Sequence, residues 1–98
     1  MARFDLYAHV HGGFLLDVQS DLLDELNTRM IVPVLPQHLA PLPARRLNPV
    51  FELAATPHVM VTQFMAAVPV AALGPPVDTL APQADEVTAA IDMLMQGF

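Results

Sequence analysis

The chain opens with two short stretches in which apolar and polar residues alternate. In Phe4-Asp5-Leu6-Tyr7-Ala8 the alternation puts Phe4, Leu6 and Ala8 on one side of a strand. Phe14 to Gln19 repeats the pattern, with Phe14, Leu16 and Val18 on one side and Asp17 and Gln19 on the other. Gly12 and Gly13 lie between them, where positive φ makes a tight reversal possible, so the two stretches predict an opening β-hairpin. Ser20-Asp21 suits the cap of a short helical turn, and Leu22 and Leu23 within that turn are expected to face something apolar. Met30 to Leu35 predicts a third strand; Pro33 cannot donate to a ladder, so either that strand is an edge or its partner stops there.

Four prolines between positions 36 and 49 exclude a regular element and predict an ordered loop that hugs the surface through Leu39, Leu42 and Leu47. A second hairpin is expected from Val50–Leu53 and Val59–Phe64 around Ala54-Ala55-Thr56-Pro57, followed by a short extended piece at Val68-Pro69-Val70. The last segment changes period. Val87, Ala90, Ile91 and Leu94 recur at helical spacing from Gln83 onward. Pro82 suits the helix start, Asp85 and Glu86 suit the positive end of its dipole, and Gly97 suits the stop, leaving Phe98 as a free aromatic end. The sum is mainly β (α+β): antiparallel strands and one C-terminal helix in a single domain over residues 1–98, with no repeat and no linker.

Composition narrows the function classes. Hydrophobic residues make up 54% of the 98 and charged residues 14%. A chain this short hides little surface, so part of that apolar material is expected against a partner, most simply a second copy. The apolar runs Met30–Leu35 and Met65–Leu73 are broken by Pro33 and Pro69 and are far short of the ~20 residues of a membrane span. Four arginines, no lysine and ten acids give a net charge of −6, which argues against gripping a nucleic-acid backbone directly. Without cysteine there is no disulfide, thiolate metal ligand or thiol nucleophile. Met1-Ala-Arg-Phe-Asp carries no apolar leader, so a cytoplasmic protein is expected.

Candidate chemistry is sparse. His9 and His11 sit near a turn, while His38 and His58 sit in a loop and at a strand start; the spacing fits no metal-ligand pattern. Asp24-Glu25 reads as a solvated face, and Asp17 has no His or Arg at a recognisable spacing to make it a general base. Ser20, the sole serine, lies outside any nucleophile-elbow motif. Met93 and Met95 read as core fillers or soft interface contacts. These residues predict no metal, no cofactor and no catalysis, only a small acidic protein that acts by binding.

Three stretches carry that reading further: Leu16–Val34 (LDVQSDLLDELNTRMIVPV), Met65–Gly74 (MAAVPVAALG) and Ile91–Phe98 (IDMLMQGF). In content and order they resemble the CcdB family of bacterial toxins, and the likeness extends over essentially the whole chain. The resemblance implies an SH3-like barrel of antiparallel strands, with a small second sheet and a C-terminal helix. It implies a homodimer that poisons DNA gyrase by binding its A subunit and trapping the cleaved gyrase–DNA complex, and that a CcdA-like antitoxin neutralises. The family's gyrase contacts fall on Leu22, Leu23, Asp92, Met95, Gln96, Gly97 and Phe98 of this chain. Gln96 stands where the plasmid-type toxin carries a tryptophan, and Asp92 replaces an asparagine. Loss of an aromatic anchor weakens an interface by roughly 2–4 kcal/mol. Two alternatives stand beside it: a CcdB-like dimer that binds antitoxin without poisoning, and an endoribonuclease of the related MazF-like fold, which would need an acid/base pair in a basic groove.

Overall fold

The computed structural model describes residues 2–98. The opening hairpin forms as the alternation predicts, from β1 (Asp5–Ala8) and β2 (Phe14–Asp17), with Leu6 opposite Leu16. Gly12 and Gly13 both take positive φ in the turn. A Cβ on Gly13 would lie 2.5 Å from the Val34 carbonyl oxygen, so both conformation and space require glycine there. The third strand is longer than the apolar run suggests: β3 spans Thr28–Pro36.

β3 is the hub of the sheet. One edge pairs with β2, and the other is shared by two partners. β4 (Val50–Leu53) and β5 (Thr56–Met60) form the second hairpin, and β5 takes the C-terminal half of β3. β6 (Ala66–Pro69) takes the N-terminal half. Pro33 lies at the changeover, opposite neither β5 nor β6, and its carbonyl accepts from the Val61 N–H at 2.9 Å. The missing donor therefore falls where the partner strand stops. A two-residue strand that the sequence did not suggest, β7 (Asp78–Thr79), closes against β1, giving the order β4-β5-β3-β2-β1-β7 in a curled half-barrel.

Leu6, Leu16, Val32, Val34 and Met60 line the core side of this sheet, and α1 (Ala84–Gln96) covers them with Val87 and Ala90. Each large aliphatic side chain buried there contributes roughly 1.5–3 kcal/mol. The helix starts and ends where expected. Asp85 and Glu86 lie in its first turn, and Gly97 at φ +82° donates its N–H to the Met93 carbonyl at 3.0 Å.

Several expectations need correction. Residues Thr62–Phe64 make a 3-10 turn instead of continuing β5, and Leu94 is 36% exposed although it completes the helical stripe. Tyr7, not Ala8, is the buried neighbour of Leu6, because the curled sheet also buries part of its second face. The proline-rich loop hugs the surface through one of its three leucines only: Leu47 is half-buried, whereas Leu42 is 94% exposed and Leu39 is also exposed. Its anchor is Asn48, whose side chain donates to the Met60 carbonyl at 3.0 Å and to Gln63 Oε1 at 2.8 Å, and accepts from the Ala44 N–H at 3.0 Å. A polar side chain with three satisfied bonds can hold a loop that apolar contacts cannot.

Candidate partner-binding site

The turn after β2 is built to show two leucines to solvent. Ser20 Oγ accepts from the Leu22 N–H at 3.2 Å, as the cap predicts, over a 3-10 turn at Asp21–Leu23. Asp21 Oδ1 accepts from the Arg3 N–H at 2.8 Å, tying the turn to the N-terminal residues. Gln19 ties it to β3, donating from Nε2 to the Leu23 carbonyl at 2.9 Å and accepting from the Met30 N–H at 3.0 Å. The expectation that Leu22 and Leu23 face something apolar is overturned within the chain. Leu22 is 92% exposed and Leu23 is also exposed, with the exposed acids Asp21, Asp24 and Glu25 around them.

The second group is the helix tip. Val87 and Ala90 hold the first turns to the sheet, whereas the last turn projects beyond the core. Met95 and Gln96 are exposed, Asp92 is half-buried and Phe98 is 70% exposed. Met95 is thus no core filler, while the aromatic ring of Phe98 is exposed as the sequence predicts. A Cβ at Gly97 would meet open space, so it is the left-handed φ that calls for glycine where the chain turns out of the helix. The tip and the leucine turn stand on separate elements: the helix packs on the turns at Thr62–Phe64 and Ala81–Gln83.

Sequence reading missed the ion pair beneath the leucine turn. Arg29 Nε donates to Asp17 Oδ2 at 2.8 Å, and Arg29 Nη2 lies 2.7 Å from the same oxygen; both side chains are 0% exposed. Asp17 Oδ1 accepts from the Gln19 N–H at 3.0 Å. Burial pushes the Asp17 carboxyl above its ordinary range, against the opposing pull of Arg29 and the Gln19 N–H. The available signal was the cross-strand register. Asp17 pairs with Ile31, so Arg29 is its diagonal neighbour on the same face, but that register is invisible until the hairpin is built.

A cleft of about 440 Å³ opens between β4, β7 and the start of α1, lined by Glu52, Asp78 and Glu86 and by none of the seven expected contact residues. Among the described residues no three His, Cys, Asp or Glu side chains are grouped to hold a metal ion, and no helix is long and apolar enough to cross a membrane. His58 is buried against Phe14, with ring centroids 5.3 Å apart. Leu22 and Phe98 instead stand exposed on the surface, as apolar side chains at a partner-binding surface do.

Comparison with known families gives the same reading. The family model described as CcdB protein matches residues 3–97. The chain belongs to the CcdB family. It is therefore a toxin of a toxin–antitoxin pair, with an antitoxin as its class of partner. The match takes in the leucine turn and the helix as far as Gly97, and stops one residue short of Phe98.

Proposed function

We propose that this CcdB-family toxin acts by binding, not by catalysis. Its homodimer enters the A-subunit dimer of DNA gyrase and holds the enzyme with its DNA cleaved. The carrying observation is the display of Leu22 and Phe98, two large apolar side chains exposed on an acidic chain at positions where the family makes its gyrase contacts. A two-fold toxin suits a two-fold cavity, because each half repeats the same contacts. Leu22, Leu23, Met95 and Phe98 supply apolar anchors, Asp92 and Gln96 polar contacts, and Gly97 the bend that aims Phe98. The net charge of −6 favours a protein target over direct contact with DNA.

A disordered, CcdA-like antitoxin that orders on binding would cover the same protein reversibly, a mode suited to release and recapture in the cytoplasm. The test is controlled expression in a susceptible bacterium beside an isogenic strain with a substituted gyrase A subunit. The expected result is growth arrest with accumulated cleaved gyrase–DNA complex in the first strain only. Equal arrest in both strains, or arrest without that complex, overturns the proposal.

A further inference from the structure

A continuous chain of hydrogen bonds runs from the buried ion pair to the exposed leucines. Arg29 holds Asp17 Oδ2, Asp17 Oδ1 holds the Gln19 N–H, and Gln19 Nε2 holds the Leu23 carbonyl. The Gln19 side chain also accepts from the Met30 N–H on β3, so it is fixed at backbone, Nε2 and Oε1. We infer that Gln19, locked by the Asp17–Arg29 pair, is the positioning residue that holds Leu22 and Leu23 out toward a partner. This rests on the proposed function for the identity of the partner, and on the bonding alone for the order of the turn.

The physical need is clear. A leucine left 92% exposed gains by folding back onto any nearby apolar surface, so a loosely tethered turn would tend to bury it. Three ties oppose that collapse: the Ser20 cap, the Asp21–Arg3 bond and Gln19. Of these three, only Gln19 reaches the central strand. Its target, the Leu23 carbonyl, also accepts from the Leu26 N–H at 3.2 Å, so one acceptor fixes both the turn and its exit. An anchor fixed before binding spares the ordering cost at the moment of association. Ordering one backbone residue corresponds to about a five- to thirty-fold change in affinity.

Two variants of the full-length protein separate the bonds. Gln19→Glu keeps an acceptor for the Met30 N–H but replaces the donor to Leu23 by a carboxylate oxygen facing a carbonyl. Gln19→Met removes both bonds at similar volume. The first readout is the backbone N–H order parameter of Leu22, Leu23 and Leu26 by NMR. Both variants are expected to fall from rigid values near ~0.85 toward ~0.6 at these three residues, with the β1–β3 amides unchanged. The second readout is affinity for the purified gyrase A-subunit dimer, expected to drop about five- to thirty-fold while the melting temperature moves by no more than a few degrees. Unchanged order parameters in both variants overturn the inference, as does loss of order spread over the whole sheet. Failure of the wild-type protein to bind gyrase A sinks the functional proposal but leaves the order parameters to decide this one.

Discussion

Asp17 and Arg29 are sealed from solvent, whereas Leu22, five residues after Asp17, is almost fully exposed. The usual arrangement, apolar inside and charged outside, is inverted within the paired strands β2 and β3 and the turn between them. The ion pair serves the fold. Its Nε–Oδ2 bond, its 2.7 Å Nη2 contact and the Gln19 N–H satisfy Asp17 on the second face of the sheet. Leu22 does almost nothing for the isolated chain. A side chain that remains in water contributes no burial energy, so its display must be explained by what it meets. Buried charges here belong to stability and exposed leucines to recognition, and substitution can separate the two.

The largest expected effect is on the inside. Arg29→Met strands a carboxylate to which no other cation is bonded among the described residues, and should cost about 3–5 kcal/mol in chemical denaturation. Adding Asp17→Asn should recover about half of that loss or more, because the stranded charge is then gone. If the single and double variants are equally unstable, the pair is not the source of the effect.

Next comes the outside. Leu22→Asp should lower affinity for the gyrase A subunit by roughly 2–4 kcal/mol while changing folding stability by less than ~0.5 kcal/mol. Removal of Gly97 and Phe98 should show the same split. A loss of stability that matches the loss of binding would mean that these side chains have partners within the fold.

The helix carries the same contrast along its length. Val87→Ala should cost about 2 kcal/mol, since two methyl groups leave a fully buried site in the core. Leu94→Ala should cost below ~1 kcal/mol in a denaturation titration dilute enough for single chains. If Leu94→Ala costs as much only at high protein concentration, its exposed side chain is covered by a second copy.

The smallest effect is on pH dependence. Burial raises the Asp17 carboxyl in the folded state, so between its ordinary range and the raised value the folded protein binds more protons than the unfolded chain. The contribution of Asp17 to stability is therefore fully present below the ordinary range and is lost as pH rises through the raised value. Comparing the wild type with Asp17→Asn across that interval should show the wild type losing ground as pH rises. A wild type that gains ground would mean that the Arg29 bonds outweigh burial.

Local patterns already gave much of this protein. Period-two alternation placed β1 and β2, the glycines placed their turn, and the period of Val87, Ala90 and Ile91 placed the helix with Gly97 at its end. Each depends on neighbours within a few residues, so the chain alone carries the information. The likeness to the CcdB family was readable for the same reason, since Leu16–Val34 is one continuous and distinctive stretch.

What the chain could not show depended on residues far apart in sequence. The second buried face with Tyr7, the sharing of β3 between β5 and β6, and β7 itself follow from the curl of the sheet. Asn48 is a polar residue of the proline-rich loop, and only the fold brings Met60 and Gln63 within its reach. Apolar character told where leucines occur, not which of them the core would take. The core is filled from β1 to β5, Leu80 and the base of α1, and Leu22, Leu42 and Phe98 lie outside it. Asp17 and Arg29 were each visible, but only the cross-strand register made them a pair. Sequence set the local elements because their forces act within a turn or two of chain; tertiary structure decided burial, because burial is settled by whatever else arrives in the same place.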